Sequence, residues 1–283
     1  MKLKTEILDS LINNLSLRTS TPKYPIGIRS LDDLTWGVHP KELMVIGGRP
    51  SHGKTSLALN MAWGLAKNDV PTIFLSLEMS TESIIERLMC IEFELHAWKL
   101  RTGDINEIKR VMEIKEKFSS RLLLATIEIF EDKGKTIESV EEVLKEMRPK
   151  TLFIDYIQKI SARGMSKYEA ISNYVVRLQS LAIQYDCAIV LASQINRGGS
   201  GQENATDYMK GSGEIEESAD TLLQCTWCYR SDPNRLDRKE YMIKAVKQRH
   251  GPCSTAILDF SAESFKFSQR DQSDKFERRD WQK

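Results

Sequence analysis

The chain has no apolar run that approaches the ~18 residues needed to cross a bilayer, and its N-terminus lacks the apolar core of a secretion signal. A cytoplasmic location and no membrane partner are therefore expected. An excess of one charge is missing too: 41 Lys and Arg against 40 Asp and Glu leave a formal net charge of +1 over 283 residues. A protein that coats nucleic acid is usually more basic, so any grip on nucleic acid has to come from a local basic stripe. Cysteine is scarce and odd in number, five in all, which argues against a disulfide framework. Cys225 and Cys228 have CxxC spacing, but residues 221–228 read as a strand. On a strand, positions i and i+3 face opposite sides and cannot share a metal. No second CxxC or His pair completes a zinc set, and the four histidines, at 39, 52, 96 and 250, do not cluster. The cysteines are expected to be small buried hydrophobes. Internal repeats are absent as well.

What is present is the pattern of one large α/β domain with appendages. Strand-like apolar runs occupy 43–47, 72–77, 151–155 and 187–193, and helical patterns fill 54–67, 81–94, 105–118, 136–147 and 168–185. Strands this uniformly apolar are covered on both faces, which predicts a mostly parallel central sheet with helices on both sides. After about residue 220 the pattern changes to extended runs joined by the Gly251-Pro252 turn, which predicts added antiparallel strands at the C-terminal edge. Residues 1–22 place Ile7, Leu8, Leu11, Ile12 and Leu15 at helical spacing before a breaker cluster at 19–22. That stripe must bury itself on its own domain or on a neighbouring subunit. Residues 269–283 are charged and nearly core-free, a tail. The main domain is thus expected over 23–268.

The sharpest local signal is Gly48-Arg49-Pro50-Ser51-His52-Gly53-Lys54-Thr55, with Ser56 opening an Ala/Leu-rich helical segment. An apolar strand that ends in glycines and feeds a helix N-terminus makes a cradle of backbone N–H groups for phosphate oxygens. Gly48 and Gly53 permit the tight turn, Lys54 would reach the β- and γ-phosphates, and the Thr55 hydroxyl would ligate Mg²⁺. A nucleoside triphosphate, ATP, is the expected cofactor, with Mg²⁺.

Ligands of a parallel sheet collect at the carboxyl ends of its strands. Three further strands carry polar groups there: Glu78, Asp155 and Ser193-Gln194. Asp155 emerges from a buried strand to face Thr55, as a metal-positioning acid should. Glu78 would orient and deprotonate the attacking water, and Gln194 could hydrogen-bond the γ-phosphate. Lys247 and Arg249 lie far along the chain, before the Gly251-Pro252 turn. They are either solvated turn charges or groups projected into a neighbour's site.

Together these residues resemble the hexameric DnaB-type replicative DNA helicases, specifically their C-terminal RecA-like motor domain, over roughly 24–267. The carriers are the phosphate loop, then Leu75-Ser76-Leu77-Glu78-Met79-Ser80, Leu152-Phe153-Ile154-Asp155-Tyr156-Ile157-Gln158 and Leu191-Ala192-Ser193-Gln194-Ile195-Asn196-Arg197. Gly211-Ser212-Gly213-Glu214-Ile215-Glu216-Glu217-Ser218-Ala219-Asp220 and Lys247-Gln248-Arg249-His250-Gly251-Pro252 complete the set, in the family's order.

The resemblance implies a homo-hexameric ring with ATP at each subunit interface, translocating 5′ to 3′ on single-stranded DNA. Lys54 and Thr55 would hold phosphate and Mg²⁺, Asp155 the metal, Glu78 the water, and Gln194 would sense the γ-phosphate. Lys247 and Arg249 would act in trans, and residues 1–22 would form a linker helix on the next subunit. DNA contacts would come from Lys210, Gly211 and Gly213, from the loop carrying Arg163 and Lys167, and from Arg197. Lys210 stands where the family often has arginine and Gly211 where it often has an acid. Neither loop offers aromatic platforms, so the grip should be on the backbone, independent of sequence and sensitive to salt. Full-length relatives carry an N-terminal collar that binds primase. The chain starts at the linker helix, either as a naturally minimal motor or as an excised domain; primase and a helicase loader are the further partners implied. Two other readings remain: a RecA-like recombination ATPase forming filaments, and a scaffold whose ATP site only stabilises assembly.

Overall fold

The computed structural model describes Leu8, Ile12 and residues 24–124, 127–131, 136–160, 164, 166–194 and 213–270. Strands β1 (Leu43–Gly48), β2 (Thr72–Ser76), β3 (Ile127–Glu131), β4 (Thr151–Asp155), β5 (Ala188–Gln194), β6 (Thr221–Trp227), β7 (Glu240–Gln248), β8 (Thr255–Ser261) and β9 (Lys266–Gln269) form one sheet. Its order is β3-β2-β4-β5-β1-β6-β7-β8-β9. The first six strands are parallel and the last three antiparallel, as expected from the sequence.

The parallel strands inside the β3 edge each feed two cores, because successive side chains point to opposite faces. In β1, Met44 and Ile46 join one core while Leu43 and Val45 join the other. Phe153 of β4 likewise goes one way, and Leu152 and Ile154 the other. The first core is covered by α2 (Lys54–Lys67) and α3 (Thr81–Phe93), the second by α6 (Ile137–Met147) and α7 (Lys167–Gln184). Their starts are written locally. Ser80 caps α3 by accepting the Ser83 N–H, and reciprocal capping pairs open α6 (Thr136 with Ser139) and α7 (Ser166 with Glu169). The remaining helices are α1 (Arg29–Thr35), α4 (Ala97–Arg101), α5 (Ile105–Leu124), α8 (Gly213–Ser218) and α9 (Cys228–Ser231).

Several expectations need correction. Edge strand β3 and short helix α1 went unread. Among the described residues the first pairs only with β2, and two of its five residues are acidic; the second is two turns long, too short to display a period. Helix α5 runs on to Leu124 rather than stopping near 118. Strand β6 ends at Trp227, and Cys228 opens α9, so the CxxC spacing spans a strand–helix junction. Cys90, Cys187, Cys225 and Cys228 are buried as expected, but Cys253 is exposed in the β7–β8 turn.

The domain's ends are tied down. Ile26, Leu31 and Val38 are buried in the first core, and the Ile26 carbonyl lies against Gly64 of α2 so closely that a Cβ there would come within 1.9 Å of it. At the other end, Gln269 accepts from the Ser30 N–H (2.8 Å) and Arg270 pairs with Asp237 and Asp259. Of the N-terminal stripe, Leu8 and Ile12 are helical and exposed; Ile7, Leu11 and Leu15 lie outside the described residues.

Candidate nucleotide-hydrolysis site

The loop between β1 and α2 is shaped by its neighbours. A Cβ on Gly48 would sit 3.0 Å from the Cys225 carbonyl oxygen, because β6 runs alongside. Gly53 (φ 76°) and Ser51 (φ 62°) adopt left-handed backbone, which turns the chain into α2. His52 anchors the loop to the antiparallel side of the sheet. Its Nδ1 accepts the Trp227 backbone N–H (3.2 Å), and its carbonyl accepts from the Tyr241 hydroxyl (2.7 Å). Burial, aided by the cations Arg49, Lys54 and Arg230, pulls the imidazole from 6.5 down to about 4. It is therefore neutral at neutral pH. Arg49 and Pro50 complete the loop, and the buried Ser56 lends its carbonyl to Asn60 (2.7 Å) inside α2.

Lys54 is 8% exposed, and its ammonium donates to the Arg49 carbonyl (2.8 Å). Burial pulls its pKa below the usual lysine value, opposed by Cys225, Asp155 and Glu78. Asp155, at the end of β4, is 2% exposed and hydrogen-bonded to the Thr55 hydroxyl. Burial raises its carboxyl pKa, opposed by that bond and by Lys54 and Arg87. Its Oδ2 is buried without a hydrogen-bond partner. A hydroxyl beside an unpartnered carboxylate oxygen is an oxygen-donor pair of the kind a hard divalent cation takes up, so these residues fit Mg²⁺. Glu78, two residues past β2, is exposed and lies 3.7 Å from Lys159. Gln194 ends β5 in register with Gly48. Lys54, Thr55, Asp155, Glu78 and Gln194 thus stand at the carboxyl ends of four adjoining strands.

Lys247 and Arg249 are not brought into this cluster. Lys247 donates to the Glu216 and Glu217 carbonyls (2.6 and 2.7 Å) at the end of α8. Arg249 pairs with Asp220 (3.0 Å) and donates to the Glu217 carbonyl (3.1 Å). Both cations satisfy orphan carbonyls of a helix C-terminus. Lys210, Gly211, Arg163 and Arg197 lie outside the described residues. Gly213 opens α8, and Lys167 opens α7 with its side chain outside the described part.

Two neighbours of the site were not read from the sequence as functional. Arg87 of α3 sits in the field of Asp155 and Glu78, its guanidinium 4.8 Å over the Phe265 ring. Gln158 grips the end of β5 through three hydrogen bonds. Gln158 stands three residues after Asp155 in a quoted motif, which was the available signal; Arg87 carries no signal, since only the path of α3 brings it back.

A parallel sheet of this order, with a phosphate loop leaving its central strand, defines the RecA-like class of nucleotide-binding domains. A family model for the DnaB-like helicase C terminal domain matches residues 24–269. The chain belongs to that family. It is 31% identical over 279 residues to the replicative DNA helicase DnaB of Treponema pallidum (strain Nichols), covering 94% of this chain and 61% of that protein. It is 30% identical over 260 residues to the replicative DNA helicase DnaC of Bacillus subtilis (strain 168), covering 86% of this chain and 56% of that one. The chain thus spans under two thirds of the length of these relatives.

Among solved structures, the ATPase domain of G40P superposes with a TM-score of 0.85 at 22% identity, over 94% of this chain and 98% of that one. A DnaB-like replicative helicase, described with its interactions with primase, superposes at 0.84 and 22% identity, over 93% of this chain and 68% of that chain. The resemblance read from the motifs is borne out in family and fold.

Proposed function

We propose that the chain is an ATP-hydrolysing motor that forms a homo-hexameric ring, translocates 5′ to 3′ on single-stranded DNA and unwinds duplex at a replication fork. The observation that carries this is the Thr55–Asp155 pair beneath the phosphate loop, with an orphaned carboxylate oxygen and Glu78 one strand away, in a chain of this family. Lys54 leaves the Arg49 carbonyl for the β- and γ-phosphates, while the loop's N–H groups hold the remaining oxygens. Thr55 and Asp155 would hold Mg²⁺, which would neutralise charge on the β- and γ-phosphates. Glu78 accepts a proton from the attacking water as the bond between the γ-phosphorus and the β-bridging oxygen breaks, giving ADP and phosphate. Gln194 contacts the γ-phosphate and passes its presence to the segment that follows β5.

Lys247 and Arg249 exchange helix-end carbonyls for the γ-phosphate bound by an adjacent subunit. Lys210, Gly211, Gly213, Arg163, Lys167 and Arg197 line the DNA channel, gripping the backbone. Residues 1–22 serve as the linker helix on the next subunit and the motor follows; the tail starts after Arg270 rather than at Gln269, because Gln269 ends β9 and Arg270 is ion-paired to the domain. Primase and a loader are the further partners, and the location is cytoplasmic. Among the described residues no helix is long and apolar enough to cross a membrane. The test is the ATPase rate with and without single-stranded DNA, beside a fork-unwinding assay at two salt concentrations. Turnover unaffected by DNA at both would sink the motor reading, and filaments in place of closed rings under electron microscopy would favour a recombination ATPase.

A further inference from the structure

The 3₁₀ turn Ile157–Lys159 follows β4, which lies between β2 and β5. Two adjacent side chains of this turn reach to opposite sides. Toward β5, pairing with β4 stops at Ile154 and Leu191, whereas β5 continues along β1 to Gly47–Ser193 and Gly48–Gln194. The end of β5 has therefore lost its ladder partner on the β4 side. The Gln158 amide fills that gap. Its Nε2 donates to the Ser193 hydroxyl (3.0 Å) and the Gln194 carbonyl (3.1 Å), and its Oε1 accepts the Gln194 N–H (3.2 Å). One side-chain amide thus replaces a strand peptide, and Gln194 is held between Gly48 of the phosphate loop and Gln158.

Toward β2, the Leu77 N–H donates to the Asp155 carbonyl (2.8 Å) and extends the ladder by one residue. Beyond it, Glu78 is met by Lys159, whose ammonium lies 3.7 Å from the carboxylate and 5.6 Å from the Tyr156 ring centroid. Both partners are substantially exposed, so the pair is weak and exchangeable. Such a contact biases an equilibrium by up to about fivefold.

We propose that this turn is a positioning bracket for hydrolysis: Gln158 fixes the backbone of Gln194, and Lys159 holds Glu78 away from the water until DNA-bound subunits close on the nucleotide. The inference rests on the motor reading above, in which Glu78 and Gln194 serve the γ-phosphate. Neither Gln158 nor Lys159 touches the nucleotide; both act through the residue they hold. The two contacts have opposite signs. Loss of the Gln158 clamp lowers turnover, and loss of the Lys159 tether raises turnover without DNA.

The test is steady-state ATP hydrolysis by the full chain with and without single-stranded DNA, alongside deuterium exchange of the peptide that ends in Gln194. Gln158→Ala should lower kcat by about tenfold with KM for ATP within about twofold, and should speed exchange at the end of β5. Gln158→Glu keeps the acceptor for the Gln194 N–H but loses both donated bonds, and should fall between the two. Lys159→Met should raise DNA-free kcat by about two- to fivefold and shrink the stimulation by DNA, with Lys159→Arg restoring the original ratio. Unchanged kcat and exchange in Gln158→Ala, or a fall accompanied by a matching rise in KM, overturns the clamp. DNA-free turnover at or below that of the original chain in Lys159→Met overturns the tether. If the unsubstituted chain hydrolyses ATP without responding to DNA, the motor reading fails, while kcat and exchange in Gln158→Ala still judge the clamp and DNA-free turnover in Lys159→Met still judges the tether.

Discussion

The parallel and antiparallel halves of the sheet hold their functional residues in different ways. On the parallel side, Lys54 and Asp155 are buried, and Thr55, Glu78 and Gln194 stand at strand ends packed against one another. On the antiparallel side, Lys247 lies near the end of β7 and Arg249 just beyond it, where side chains are no longer buried, and they are held by helix-end carbonyls and Asp220. Parallel strands covered on both faces place their chemistry at one rim, fixed by the fold. An antiparallel extension with one freer face can present cations outward, on bonds that a better anion displaces. Under the proposed action in trans, the difference is that between the part of a site a subunit completes for itself and the part it offers to another.

Substitutions can break that comparison, and the largest effect is expected at Lys54. Lys54→Ala should lower ATP hydrolysis by about 10³-fold or more, measured as phosphate release. Arg249→Ala should lower it by about 10²- to 10³-fold while leaving binding of a fluorescent ATP analogue largely intact. Mixing these two inactive variants sharpens the comparison, because an interface built from one of each regains both cations. Recovered turnover in the mixture supports action in trans, and its absence, or normal turnover by Arg249→Ala alone, breaks it.

Next in size is a purely structural change on the parallel side. Gly64→Ala drives a methyl into the Ile26 carbonyl and should cost about 2 kcal/mol or more in denaturant unfolding, with hydrolysis of the folded fraction unchanged. The smallest effect concerns the link between the halves, His52. Its folded pKa of about 4 lies below the unfolded 6.5, so the unfolded chain takes up the proton first as pH falls. The stability this group contributes is full above pH 6.5 and is lost as pH falls toward 4. Unfolding curves at pH 7 and pH 4.5 should show that loss, and His52→Asn should reduce it; an equal loss in both proteins would remove His52 from the account.

Much of the parallel half was legible because its signals are local. Apolar runs such as Leu43–Ile46 and Leu152–Ile154 announce strands buried on both faces, and the glycines around Lys54 announce the loop. The antiparallel extension was visible from its extended runs and the Gly251-Pro252 turn. Strand β3 was not, because Glu128 and Glu131 interrupt its apolar run, as suits an edge, and its pairing depends on where β2 lies. Gln158 could be read as part of a motif but not as a clamp, since its partners lie 35 and 36 residues away. Arg87 was silent for the same reason.

Sequence alone determined that this protein carries a phosphate loop on a mostly parallel sheet and that it resembles the DnaB-like motors, because those properties rest on contiguous residues and on their periodicity. Only the tertiary structure decided that Asp155 keeps an unpartnered oxygen beside Thr55, that His52 fastens the loop to β6 and β7, and that one short turn touches both Glu78 and Gln194. Those facts depend on strand order and register, which bring together side chains that no spacing along the chain relates.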